Sequence, residues 1–124
     1  MTSLDIDGAL NALLDTWADA INRHEPERVA ALFTADALFQ GFDPVPGHGQ
    51  RFIVAYYDKQ SASLRAQYDV HSVKAVGASN LVGFARVDFH RPEGSVPVHL
   101  TVVAEHASAG WRISHYHVSR IVTA

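Results

Sequence analysis

The chain has 124 residues, of which 48% are hydrophobic and 19% charged, and its formal net charge is −3 at pH 7. This length and composition predict one globular domain spanning residues 1–124, because two separate cores would each be too small for independent stability. The mild negative charge argues against a nucleic-acid partner and against a basic membrane-binding surface. The lack of cysteine excludes disulfides, thiolate metal sites and a cysteine nucleophile.

Two further features bear on location and chemistry. No apolar run approaches the ~20 residues that a membrane span needs. The first residues lack the basic and apolar regions of a secretion signal, so we expect a cytoplasmic protein with no membrane partner. Histidine is frequent, with eight copies in the chain, and it is the side chain that most readily exchanges protons near neutral pH.

The first half of the chain predicts helices. Apolar residues repeat with helical spacing from Leu10 to Ile21, and Pro26 suits the first turn of a short second helix. A short strand is predicted over 37–40, a loop rich in glycine and proline over 41–49, and a third helix over 50–64.

The second half changes to strands. Four segments rich in β-branched and aromatic residues, separated by short turns, cover 68–76, 81–90, 97–106 and 111–122. Short connections between consecutive strands predict antiparallel hairpins. Helices followed by strands indicate an α+β fold with the helices packed on one face of a curved antiparallel sheet.

Three segments carry a resemblance to a known family: ERVAALFTADALF (27–39), GQRFIVAYY (49–57) and GWRISHYHVS (110–119). In these segments the chain resembles the SnoaL-like branch of the nuclear-transport-factor-2-like superfamily, and it is also similar to the kinase association domains of that superfamily. The resemblance implies a cone whose bent sheet wraps around the helices and leaves a pocket at its mouth. Ketosteroid isomerase, polyketide cyclases, dehydratases and epoxide hydrolases share this fold, so the fold alone does not fix the function.

Strand alternation divides the second half into a polar and an apolar face. Loops of five and six residues would pair His99 with His117, Thr101 with His115, and Asp88 with His99. Trp111 and Ile113 would share the face of His115 and His117. The opposite face, which includes Leu81, Val87, Val98 and Leu100, is apolar. Resemblance to the ketosteroid isomerase branch favours the polar face as the pocket lining.

The polar set has the ingredients of acid–base catalysis. We expect His117 to transfer a proton, with Asp88 and His99 as its partners and Arg86 stabilising charge. The reaction would be a cofactor-free isomerisation, cyclisation or dehydration of a small organic ligand. Two alternatives stay open: a pocket that binds without catalysis, and a purely structural hydrogen-bond network. The expected pocket-lining residues are Trp17, Phe33, Phe39, Tyr56, His71, Phe84, Arg86, Thr101 and His115.

Two more specific chemistries are not expected. Steroid isomerisation fits poorly, because the resemblance aligns the first-helix tyrosine with Trp17 and the second aspartate near Thr101, which leaves only Asp43 as a base. His99, His115 and His117 could form a three-histidine metal set. No further ligand is evident except Asp88, which is already assigned as a partner, so we expect neither a metal nor a cofactor.

The face assignment also carries an expectation about assembly. If the polar face wraps the helices, the apolar face is left exposed to water. Such a face would be too apolar to remain uncovered, and we therefore expect a homodimer formed through the sheet. The rival to a ligand-binding protein is accordingly a non-catalytic association domain.

Overall fold

The structure is a computed structural model that describes residues 5–122. Its elements are α1 (Ile6–Asn22), α2 (Pro26–Ala30), β1 (Phe33–Gln40), β2 (Gly47–His48), α3 (Gln50–Asp58), β3 (Arg65–Val76), β4 (Asn80–Arg91), β5 (Gly94–Ala107) and β6 (Gly110–Arg120). None of the described helices is long and apolar enough to cross a membrane.

The helical first half follows from local sequence. Asp5 caps α1 by accepting a hydrogen bond from the Gly8 amide at 3.0 Å. The predicted apolar stripe of α1 is buried against the sheet, with Trp17 fully covered. Pro26 occupies the first turn of α2, as predicted.

The third helix is shorter than predicted. It ends at Asp58 instead of Leu64. Ser61 accepts a hydrogen bond from the Ser63 amide at 3.2 Å, and the Leu64 amide bonds the Ser61 carbonyl at 3.0 Å. These local bonds offer the backbone an alternative to the helix, and they turn Leu64 into the core.

The six strands form one curved, unclosed sheet in the order β2-β1-β6-β5-β4-β3. The α+β class with N-terminal helices is confirmed. The expectation of a wholly antiparallel sheet is wrong, because β1 pairs in parallel with β6. The two-residue strand β2, which pairs with Leu38 and Phe39, was also not predicted.

The assignment of the two sheet faces is reversed relative to the prediction. The helices cover the apolar face, on which Leu81, Val87 and Val98 are completely buried. Burying these side chains stabilises the fold, whereas burying the polar set would remove histidine and arginine from water without enough partners. The apolar face is therefore not available as a dimer interface. The homodimer itself stays a prediction.

The predicted strand registers are also wrong, each by two residues. Arg86 lies opposite His99, Thr101 lies opposite His117, and His99 lies opposite Ser119. The β4–β5 turn contains only Pro92 and Glu93 and is centred one residue earlier than predicted, which shifts that pairing by two residues. The β5–β6 turn contains only Ser108 and Ala109, which shifts the pairing by one residue, and an extra residue in β6 adds the second. Gly94 at φ 133° and Gly110 at φ 99° close the two turns. Because side chains alternate with a period of two, a two-residue shift keeps the polar residues on a shared face.

A β-bulge corrects one more expectation. Ser114 is an extra residue in β6, since Val103 pairs with His115 and Ala104 pairs with Ile113. Ser114 Oγ donates to the Val103 carbonyl at 3.2 Å. The bulge puts Ile113 on the helix face, so it does not share the face of His115 as predicted.

Candidate functional site

The space between the helices and the sheet is filled by aromatic rings. Phe39 stacks on Tyr116 with centroids 4.5 Å apart, and Trp17 lies edge-on to Phe89 at 5.9 Å. Four residues expected to line a pocket, Trp17, Phe33, Phe39 and Tyr56, are each no more than 6% exposed and belong to the core cluster. Their role in the structure is packing.

The mouth of the cone is closed by the loop that follows β1. The Phe42 amide donates to the Tyr56 hydroxyl at 2.8 Å. The guanidinium carbons of Arg91 and Arg120 lie 5.6 and 5.9 Å from the centre of the Phe42 ring. Behind Phe42, the described side chains leave no space that admits a water molecule. This part of the cone holds no ligand-sized cavity.

Three polar side chains of the core, Trp17, Tyr57 and Tyr116, are hydrogen-bond partners of one another. The Trp17 indole donates to the Tyr57 hydroxyl at 3.2 Å, and Tyr116 is a further partner of that hydroxyl. Burial raises the pKa of both Tyr57 and Tyr116 well above the ordinary tyrosine value. The three groups form a neutral network that stabilises the core.

The outer face of the sheet, which points away from the helices, carries the polar residues in rows across the strands. The first row is His48, Leu38, His115, Val103, Val82 and Lys74. The second is Gln40, His117, Thr101, Phe84 and Ser72. The third is Ser119, His99, Arg86 and Asp69.

A groove with a volume of about 690 Å³ lies on this outer face, over β3, β4 and β5. Four of the expected pocket residues line it, together with one expected catalytic residue. These are His71, Phe84, Arg86 and Thr101, with His99. Asp69 on β3 completes the polar wall. The groove therefore collects much of the expected polar set on the side of the sheet opposite to the one predicted.

The charges of the groove are partly paired. Arg86 Nη2 lies 3.3 Å from Asp88 Oδ1, and Arg86 also stands opposite Asp69 on the neighbouring strand. Both partners of the Arg86–Asp88 pair keep substantial exposure to solvent. Such a pair contributes little to stability, and of its two members only Arg86 is among the residues that line the groove.

The three expected catalytic residues share the outer face without pairing directly. His99 lies opposite Arg86 and Ser119, so Asp88 is its diagonal neighbour on β4 and His117 its diagonal neighbour on β6. Asp88 bonds Arg86. Within residues 5–122 no hydrogen bond joins any two of the three side chains. The arrangement brings them to one surface but does not form an Asp–His–His relay.

Histidine is concentrated on this surface. Six of the eight histidines lie on the outer face, namely His48, His71, His90, His99, His115 and His117. His115 lies between Leu38 and Val103, beyond the groove. Among residues 5–122, no three histidine or acidic side chains converge closely enough to hold a metal ion.

The outer face also carries three large apolar residues, two of which were not singled out from the sequence. Leu38, Phe84 and Val76 are 55, 51 and 43% exposed, and all three point outward. Of the three, only Phe84 is among the residues predicted to line a pocket. Leu38 follows a β1 irregularity between Phe33 and Leu38, so simple alternation did not assign it a face. Asp69 could have been found from its parity with His71 on β3, whereas the irregularity between Val70 and Ser72 reverses the alternation before Val76.

Comparison with known proteins supports this architecture. The family described as a SnoaL-like domain matches residues 10–123. The sequence has no significant match among curated proteins. A domain of unknown function with a cystatin-like fold from Nostoc punctiforme PCC 73102 superimposes with a TM-score of 0.86, at 22% identity, over 98% of this chain and 81% of that one.

Two other solved structures illustrate how widely the fold is used. A putative calcium/calmodulin-dependent protein kinase II association domain from Xanthomonas campestris is 20% identical, with a TM-score of 0.79 over 99% of this chain and 95% of that one. A ketosteroid isomerase-like protein from Erwinia carotovora atroseptica SCRI1043 is 15% identical, with a TM-score of 0.80 over 94% and 96%. At these identities the similarity is evidence for the fold alone. The match over residues 10–123 shows that the chain belongs to the SnoaL-like domain family.

Proposed function

We propose that this chain is a non-catalytic association domain that forms a homodimer by packing its outer sheet face against the same face of a second copy. The observation that carries the proposal is the exposure of Leu38 and Phe84 on one side of the sheet. Large apolar side chains that share a surface are typical of protein–protein contact sites.

The closed interior supports association over catalysis. The aromatic residues that would enclose a substrate pack against one another, and the loop residue Phe42 closes the mouth. An enzyme of this architecture needs a concave site that excludes water from its substrate. The groove on the outer face is open to solvent, and a second copy would cover it.

The size of the outer face is adequate for a specific contact. Strands lie about 4.8 Å apart, and outward residues lie about 6.8 Å apart along each strand. Five strands that each present about five outward residues therefore form a face on the order of 800 Å². A stable interface of ordinary size buries about 800 Å² on each partner. Two such sheets pack face to face at a separation of about 10 Å.

The composition of the face is compatible with self-association. Its centre holds Leu38, Val103 and Phe84, and its charged residues lie mainly around them. Arg86 stands beside Asp88 and opposite Asp69, so a two-fold contact can bring each sign of charge against the other. The Xanthomonas neighbour is described as an association domain, which is consistent with this use of the fold.

The test is the oligomeric mass of charge-introducing variants. By size-exclusion chromatography with light scattering at pH 7.5 and micromolar concentration, the wild-type protein should have the mass of two chains. Phe84→Asp and Leu38→Asp should each shift it to one chain. Val45→Asp is the matched control, because Val45 is 64% exposed but lies in the loop before α3. A monomeric wild-type protein would reject the proposal.

The groove supports a second candidate function, the binding of a small organic ligand. Its volume of about 690 Å³ lies in the range of ligand sites, and its wall offers the Phe84 ring beside the donors Arg86, His99 and Thr101. If the ligand is turned over, the reaction would be a cofactor-free isomerisation, cyclisation or dehydration. His99 would then be nearest to the ligand, and Asp88 would act through Arg86.

A fluorescent aromatic sulfonate such as 8-anilinonaphthalene-1-sulfonate tests the second candidate. Arg86→Gln should weaken its binding by roughly tenfold, the loss of one charge-assisted hydrogen bond. Arg51→Gln is the control, because Arg51 lies on α3 away from the sheet's outer face. Equal affinity of the two variants would exclude the groove as the binding site.

A further inference from the structure

The histidines of the outer face bear on self-association, and the inference drawn from them rests on the proposed function. Six of the eight histidines of the chain lie on this face. The other two, His24 after α1 and His106 at the end of β5, do not. We propose that these histidines make association depend on pH, so that the dimer forms near neutral pH and separates in mild acid.

The register places the histidines at the centre of the proposed contact. His115 is half-buried between Leu38 on β1 and Val103 on β5. His117 lies between Gln40 and Thr101 in the next row. A second copy packed on Leu38 would therefore remove these imidazoles from water.

No carboxylate lies directly opposite these central histidines. His99 faces Arg86 on β4 and Ser119 on β6, so protonation would place two positive charges side by side. The charged side chains on the outer face are Arg65, Asp69, Lys74, Arg86, Asp88, Glu105 and Arg112. Asp36, two residues before Leu38, accepts a hydrogen bond from Thr34 at 2.9 Å.

Each carboxylate of the face lies beside an arginine, and one of them is in contact with it. Asp88 contacts Arg86, and Asp69 stands opposite Arg86 on the neighbouring strand. Glu105, the diagonal neighbour of His115, stands opposite Arg112. The face is therefore nearly balanced in charge while its histidines are neutral. It becomes strongly positive when they take up protons.

Two-fold symmetry doubles this effect. In a contact between identical faces, each protonated histidine meets a surface that carries the same added positive charge. Burial penalises the charged imidazole in addition. The repulsion between the two faces and the penalty for burying a charged imidazole exist only in the dimer. Acid therefore shifts the equilibrium toward single chains.

The expected size of the effect follows from proton linkage. If one histidine per copy must be neutral in the dimer, the dissociation constant rises by about 100-fold between pH 7.5 and pH 5.5, because each dissociation takes up two protons. More than one such histidine per copy makes the change larger.

The experiment is sedimentation equilibrium or light scattering of the full chain at pH 7.5, 6.5 and 5.5. The dissociation constant should rise at least ~100-fold across this range. His115→Gln and His117→Gln, singly and together, should lower the ratio of the dissociation constant at pH 5.5 to that at pH 7.5, whatever their effect on affinity at pH 7.5. The matched control is His24→Gln with His106→Gln, which should retain the wild-type dependence.

The outcomes separate this inference from the proposed function. A dimer of equal strength at pH 7.5 and pH 5.5 overturns the pH dependence and leaves the association domain standing. A protein that is monomeric at every pH overturns both. Circular dichroism at each pH is needed, because loss of the dimer together with secondary structure would show that acid acts on the fold, which also overturns the inference.

Discussion

The ring of Tyr116 stacks on that of Phe39, with centroids 4.5 Å apart and planes inclined by 5°. The next residue on β6, His117, points to the opposite side of the sheet and lies across from Thr101. One strand thus supplies alternate residues to the aromatic core and to the outer face. Substitutions at neighbouring positions should have very different consequences.

Tyr116→Ala should lower the free energy of unfolding by about 3–5 kcal/mol, because it removes a large buried ring. His117→Ala should change it by less than ~0.5 kcal/mol, because His117 is exposed on the outer face. Urea denaturation measures both changes. Both substitutions should be made in the Phe84→Asp background, where association does not contribute. A loss above ~2 kcal/mol for His117→Ala would show that this histidine has a structural role in the single chain.

Gly83 packs closely against Leu10 of α1. A methyl group built on Gly83 would lie 2.5 Å from Leu10 Cδ2, and Leu10 is only 1% exposed. Gly83→Ala should therefore destabilise the protein by about 1–3 kcal/mol through overpacking. A double-mutant cycle with Leu10→Val tests the cause by chemical denaturation. The combined loss should be smaller than the sum of the two single losses, and strict additivity would contradict the contact.

Much of the fold was predictable from local pattern. The α1 stripe, Pro26 at the start of α2, the four long strands and the α+β class follow from hydrophobic period and turn residues. The parallel pairing of β1 with β6 was not predictable in this way, since it joins distant parts of the chain. The end of α3 at Asp58 depends on side-chain bonds of Ser61 that compete with the helix.

The candidate site was harder to predict than the fold. Alternation correctly grouped Arg86, His99 and Thr101 on one face, but it could not say which face the helices cover. The helices cover the apolar face, because burying its side chains stabilises the fold, whereas the family resemblance favoured the polar face. The registers depend on the length and position of each turn, which Gly94 and Gly110 make tighter than predicted, and in β6 also on one bulged residue. The bulge at Ser114 leaves no clear mark in the sequence.

Tyr57 holds the buried indole of Trp17. The Trp17 Nε1 atom donates to the Tyr57 hydroxyl at 3.2 Å. Tyr57→Phe should therefore lower the free energy of unfolding by about 1–3 kcal/mol, because it leaves a buried donor without an acceptor. Tyr68→Phe is the matched control, since the Tyr68 hydroxyl bonds Asn11 and Asp15 near the surface. Equal effects of the two substitutions would contradict the importance of the buried bond.

The same tyrosines predict loss of stability in alkali. Burial raises the pKa of Tyr57 and Tyr116 above the ordinary value of 10.0. Above pH ~10 the unfolded chain releases these phenolic protons while the folded chain retains them. The stabilisation from keeping them neutral is therefore fully present below pH ~10 and is lost as the pH rises further, by up to ~1.4 kcal/mol per pH unit for each tyrosine.

Urea denaturation at intervals between pH 9 and pH 11 measures this slope. Tyr116→Phe should be less stable than the wild-type protein at pH 9 but should lose less stability on going to pH 11, because one titrating group is gone. Phe39→Leu is the control, since it removes core packing against Tyr116 and leaves every tyrosine in place. It should lower stability at all pH values and keep the wild-type slope. If Tyr116→Phe also kept that slope, Tyr116 would be titrating in the folded protein as it does in water, and its burial in the core would be contradicted.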